Sequence, residues 1–348
     1  MTRCIVVCSA LAGIFLLTDC TREKPAVARD PRSAALAAEV RDLGSIAFGA
    51  VSPKGDWDLY VMRPDGSGLR NLTNTPEYSE AAPRFSPDGA RILYRRLKAG
   101  KVVDGNRYGA QGELVVASSD GSHPEAIGAE GEYPWASWSP DGKQIACLAP
   151  KGILIYDLAS RKVVRTLDRK GIFQQLNWSP DGKWFAGVAN IGEVWTIARM
   201  NVETGEINAV HSYQNCTPHW FSDSRRLLFS YRPADQGDEN KGAGWTQLYM
   251  ANADGTNDTL VYGQDGVHVY GNMPSPDGKY AVFTRSVEED GDPGHGGSPL
   301  AIMRLSDAPT IGGPSPVLRK RFPNTKNGVL LELPVGWKPH WAMVKFPA

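Results

Sequence analysis

The sequence predicts an all-β protein, a six-bladed β-propeller of four-stranded blades whose ring is closed by the C-terminal strand joining the first blade. Three observations carry this reading. A turn motif recurs five times at the spacing of one blade, with copies at Phe85-Ser-Pro-Asp-Gly89, Trp138-Ser-Pro-Asp-Gly142, Trp178-Ser-Pro-Asp-Gly182, Phe221-Ser-Asp-Ser-Arg225 and Pro274-Ser-Pro-Asp-Gly278. Glycine (37) and proline (25) are abundant beside an ordinary 41% hydrophobic fraction, the composition of many short strands joined by many turns. Pro339-His340-Trp341, near the end of the chain, repeats Pro218-His219-Trp220, so the last segment matches the start of the fifth marked unit.

The chain opens with Arg3 and an apolar run from Cys4 to Leu17, which reads as an export signal over residues 1–19. Leu17-Thr-Asp-Cys20 resembles a bacterial lipoprotein cleavage box, with Cys20 as the lipidated residue; Asp19 departs from the small residue usual at that position. Ala26-Val-Ala28 offers an ordinary signal-peptidase cut as the alternative. An uncleaved anchor is the third outcome; all three place the folded part outside the cytoplasm, and the expected location is the periplasm, tethered to the membrane by the lipid. Residues 20–43, rich in charge and alanine, are a tether or a short helix lying on the domain, and the propeller occupies 44–348.

Within the propeller each motif copy starts a strand-turn-strand unit. Proline fixes φ at the first turn position, aspartate bonds back to turn amides, and glycine takes the positive φ. An apolar strand follows every copy: Ile92 to Tyr94, Ile145 to Cys147, Trp184 to Ala186, Leu227 to Phe229 and Ala281 to Phe283. A second turn recurs after the next strand, as at Asp65-Gly66, Asp120-Gly121 and Asp254-Gly255. With the serine as marker the copies stand at 86, 139, 179, 222 and 275, spacings of 40 to 53 residues that bracket one propeller blade. Residues 46–73 hold the last three strands of a unit but not its first, which Lys338 to Phe346 is expected to supply, leaving the ring no free edge.

Ile46-Ala-Phe48, Trp57-Asp-Leu-Tyr-Val-Met62, Pro64-Asp-Gly-Ser-Gly68, Asn71-Leu-Thr73 and the Ser-Pro-Asp-Gly turns resemble the TolB-type propeller repeat, a WD40-like unit found also in the propellers of dipeptidyl peptidase IV and prolyl oligopeptidases. The resemblance covers about residues 45–348. It implies an exported, non-catalytic scaffold that binds envelope proteins or glycans at the channel mouth or on blade-face loops. The long insertions Leu97 to Gly112, Pro233 to Gly244 and Glu288 to Pro299 are candidates for that contact. No Gly-x-Ser-x-Gly nucleophile elbow occurs, so the hydrolase domain of the peptidase relatives is not expected. Equal numbers of basic and acidic residues, 38 each, give no electrostatic pull toward nucleic acid, and a monomer touching the membrane only through its lipid is expected. Cys147 and Cys216 stand in different repeats and form neither a disulfide nor a zinc-ligand spacing.

The innermost strand of each blade lines the channel, so repeat-aligned residues gather round the axis. Aligning on the marker serine sets His219 beside Pro83, Ala136, Leu176 and Asn272, with His340 at the same level and His268 near the same end. These residues form a candidate binding cluster without catalytic role or cofactor. The alternative is a divalent metal held by His219 and His340, which loosely resembles the oligogalacturonate lyases, propellers with manganese and a carbohydrate-cleaving site in the channel.

Overall fold

The computed structural model describes residues 30–346 except 102, 104–106, 169–170, 212–214, 232–245, 265–266, 288–297 and 309–327. The export signal, Cys20 and the loops 233–244 and 288–297 therefore lie outside the described residues. Among those described, no helix is long and apolar enough to cross a membrane.

Six antiparallel four-stranded sheets surround an axis. The first blade joins β24 (Trp337–Ala342) to β1 (Ser45–Val51), β2 (Trp57–Met62) and β3 (Arg70–Asn71), and the second is β4 (Tyr78–Phe85), β5 (Arg91–Lys98), β6 (Glu113–Ser118) and β7 (Glu125–Ile127). The third comprises β8 (Ser137–Trp138), β9 (Gln144–Ala149), β10 (Gly152–Asp157) and β11 (Lys162–Leu167); the fourth β12 (Ile172–Trp178), β13 (Trp184–Ile191), β14 (Val194–Asn201) and β15 (Ile207–Ala209). The fifth contains β16 (Asn215–Trp220), β17 (Arg226–Tyr231), β18 (Gln247–Asn252) and β19 (Thr259–Tyr262), the sixth β20 (Val267–Pro274), β21 (Tyr280–Val287), β22 (Pro299–Arg304) and β23 (Leu330–Val335).

The repeat motif is a turn device. Ser86 Oγ donates to Asp88 Oδ1 at 2.6 Å and accepts from Arg91 N at 3.0 Å, while Gly89 takes φ +70° and donates its N–H to Ser86 O at 2.8 Å. The same bonds recur at Ser139, Ser179 and Ser275. Serine and aspartate are spent on the turn, which leaves the chemistry of the protein to other positions.

The C-terminal strand closes the ring as its sequence implied: Ile46 pairs with Trp341 and Ala47 with His340. Trp341 is fully buried and its indole N–H donates to Leu43 O at 2.6 Å. The helix α1 (Pro31–Val40) lies across the same seam. Asp30 caps it by accepting from Arg32 N at 2.9 Å, and Pro31 presets its first turn. Leu36, Ala37 and Val40 enter the core formed by Ile46, Phe48, Ile302, Leu331 and Trp341. Ser33 Oγ donates to Leu330 O at 2.8 Å, and Arg304 pairs with Glu39 at 2.7 Å. The C-terminal strand thus leaves blade six after β23 and completes blade one by its ladder to β1, while α1 packs on both blades over the joint.

Candidate functional site

Every innermost strand bends at one place. Ala82, Trp135, Gln175, Thr217, Gly271 and Lys338 all take positive φ, between +51° and +58°. In five blades the ladder skips residues there, for example from Ala81 to Arg84 and from Cys216 to His219, and in the third blade pairing begins just beyond it at Ser137. Five of the six are not glycine, and for a β-branched residue such as Thr217 the conformation costs roughly 1–3 kcal/mol. This repeated bulge re-aims the next side chains and puts Arg84, Ser137, Asn177, His219, Met273 and His340 at equivalent positions, opposite Leu93, Ala146, Ala186, Leu228, Val282 and Ala47 of the neighbouring strand. All six line one bowl of about 380 Å³ at the channel mouth.

This ring is displaced by one residue from the alignment the sequence suggested. In the degenerate fifth copy it is Phe221, not Ser222, that stands where Ser86 stands: Phe221 N donates to Arg226 O at 3.0 Å, as Ser86 N does to Arg91 O at 2.9 Å. Asp223 then plays the part of Asp88, accepting from Arg225 N at 2.8 Å, and Ser224 takes the glycine's positive φ at +56°. A slip of one residue exchanges the two faces of a strand. His219 and His340 are therefore level with Arg84 and Met273, whereas Asn272 points away from the bowl into the seam between blades five and six. There it is fully buried, its Oδ1 accepting from Thr217 Oγ1 at 2.7 Å and Ser230 Oγ at 2.8 Å and its Nδ2 donating to Thr217 O at 3.1 Å. His268 stands near the opposite end of β20, with Nδ1 at 2.6 Å from Thr246 Oγ1. The structure brings together two of the four residues, and adds Arg84, which the sequence reading passed over.

Arg84 reaches from blade two to blade four. Its Nη1 donates to Leu176 O at 3.1 Å and to Asn177 Oδ1 at 2.8 Å. Burial pulls its pKa down from the ordinary value, yet a guanidinium remains cationic at any working pH. Burial first, and the Arg84 charge second, keep both imidazoles neutral: His340 is lowered to about 3 and His219 well below its usual value. His340 Nδ1 accepts from Phe85 N at 3.3 Å, which assigns its proton to Nε2. Indoles of Trp138, Trp178, Trp220 and Trp341 and prolines of the repeated turns make the walls.

Beside the bowl, and outside its lining, an aromatic group packs between blades one and three. Tyr108, from the segment between β5 and β6, packs edge-on against Trp135 (4.9 Å) and Trp337 (4.8 Å), with Trp57 behind Trp337 at 5.6 Å. Lys338 Nζ sits among these rings, 4.6 Å from the centre of Tyr108, 5.3 Å from Tyr270 and 5.5 Å from Trp337. Burial brings this lysine down to about 8. Arg84 lines the bowl, and Lys338 stands close enough for both cations to act on His219. No aspartate or glutamate is among the described residues that line the bowl, nor among the groups that act on Arg84 or Lys338.

That donor set is poor in the anionic oxygen that hard divalent ions such as manganese favour. Two neutral imidazoles face a fixed guanidinium with no carboxylate to offset it. Among the described residues no group of three or more histidine, cysteine, aspartate or glutamate side chains converges. Cys147 and Cys216 are both free thiols.

No protein-family model matches this chain, and no curated protein matches it. Solved structures do. TolB from Acinetobacter baumannii aligns at 18% identity and TM-score 0.61 over 87% of this chain and 67% of its own. A chain of a nidogen/laminin complex aligns at 11% identity and TM-score 0.53, over 85% of this chain and 98% of its own. An oligogalacturonate lyase in complex with manganese aligns at 15% identity over 78% of this chain and 73% of its own; its TM-score of 0.47 is too low to bear on the chemistry here. The fold is that of a TolB-like propeller.

Proposed function

We propose that this TolB-like propeller is a non-catalytic binding module of the cell envelope, exported and held to the membrane by a lipid on Cys20, whose partner docks over the bowl. One observation carries the reading: segments distant in the chain, from all six blades, converge on a single concave, aromatic-walled pocket. Concave apolar sites with a few fixed polar groups are where ligands are held. Export rests on the apolar run from Cys4 to Leu17, and the fold shared with TolB is consistent with an envelope setting.

The test separates binding from metal-dependent carbohydrate cleavage. Purified protein is expected to carry no stoichiometric manganese, to gain nothing in thermal midpoint from added manganese, and to leave polygalacturonate uncut. A metal bound at a hundredfold excess over its Kd would add about 2.7 kcal/mol, a shift that is easily measured. Stoichiometric manganese together with metal-dependent formation of unsaturated sugar ends would replace the scaffold reading with a lyase.

A further inference from the structure

We propose that the bowl captures a carboxylate, and that this carboxylate is the C-terminal end of a peptide whose last side chain is apolar. The inference rests on the reading of the bowl as a docking site and names the chemistry it takes.

A cation taken partly out of water without an anionic partner is costly, and Arg84, half-buried, finds only a carbonyl and an amide oxygen, both through Nη1. Lys338 is partly offset by three aromatic faces, which Arg84 lacks. Among the described residues, no partner engages the Nε–Nη2 edge of the guanidinium. That edge is a planar pair of donors at the spacing of the two oxygens of a carboxylate. The neutral imidazole of His340, protonated on Nε2, adds a donor without adding charge.

The walls have little hydrogen-bonding capacity left. All four indole N–H groups are already spent, Trp138 on Arg84 O at 2.9 Å, Trp178 on Gly182 O at 3.1 Å, Trp220 on Asn177 O at 3.3 Å and Trp341 on Leu43 O at 2.6 Å. Asn177 is spent too, its Nδ2 donating to Gln175 O at 2.9 Å and Pro218 O at 2.6 Å. An acidic sugar would bring several hydroxyls into a bowl with few groups left to pair them, each buried without a partner at a cost. An apolar side chain needs no such partners and packs on indole and proline. A peptide end brings one carboxylate and one apolar side chain together, which matches a free guanidinium edge beside walls of indole and proline.

Four indoles in the wall make tryptophan fluorescence the readout. The probes are acetyl-Ala-Ala-Phe as the free acid, the same peptide as the C-terminal amide, and glucuronate. The free acid is expected to bind roughly ten- to a hundredfold more tightly than the amide, the range of hydrogen bonds to charged groups, and Arg84→Gln should remove that difference. The comparison of acid with amide on the unaltered protein needs no variant to fold. Equal binding of acid and amide would overturn the carboxylate while leaving the bowl as a binding site. Glucuronate binding more tightly than the peptide would overturn the peptide end. A failure of all three probes would overturn both this inference and the docking reading beneath it.

Discussion

Removal of residues 338–348 is expected to leave a chain that does not fold cooperatively and that aggregates. The segment supplies most of the innermost strand of blade one, which pairs along β1 through Trp341 and His340. Without it β1 becomes an edge of unpaired amides and carbonyls, and the seam with blade six loses the fully buried Trp341 together with the contacts α1 makes over it. The point substitution Trp341→Ala isolates the packing and should cost about 3–5 kcal/mol, as large-to-alanine changes in cores do. Chemical denaturation of the point variant and sedimentation of the truncated chain measure the two effects. A truncated protein with the melting curve of the full-length chain would remove the composite blade from the account.

The second large effect concerns location. The full-length protein is expected to sediment with membranes, and Cys20→Ser to release it into the soluble fraction or to leave it unprocessed. The apolar run ends three residues before Cys20, as a lipoprotein box requires, while Asp19 occupies a position that normally takes a small residue. Each buried methylene of an acyl chain adds about 0.8 kcal/mol; one chain alone binds marginally, several hold firmly. The two outcomes therefore separate cleanly. Asp19→Gly should quicken maturation. An unmodified N-terminus at Arg29, read by mass spectrometry of the mature protein, would make this an untethered exported propeller.

The blade count, the turns and the closure were legible because each rests on a local rule repeated along the chain. Pro-Asp-Gly can form little other than a tight turn, and two copies of Pro-His-Trp mark two equivalent strands. The site was legible only in part. His219 and His340 were found through that tripeptide, but the residues around them were misaligned because the degenerate copy was matched serine to serine. Matching Trp220 to Trp138 and Trp178 would have set the register and brought Arg84 onto the ring with them. The bulge that fixes this register has no sequence signature, since alanine, tryptophan, glutamine, threonine, glycine and lysine all occupy it. Tyr108 could not be foreseen either, because an insertion between two strands does not announce where its side chains land. The helix α1 lay in a stretch that composition allowed to be tether or helix, and the burial of Leu36 and Val40 against blade six decides it.

Site-specific photo-crosslinking tests most directly the claim that the bowl is the docking surface. A benzophenone amino acid at Met343, 63% exposed on the rim, is compared with one at Val164, 52% exposed on the outer strand of blade three. The account predicts a discrete adduct with an envelope protein from Met343, weakened by Arg84→Gln, and none from Val164. Adducts from Val164 with none from Met343 would contradict it.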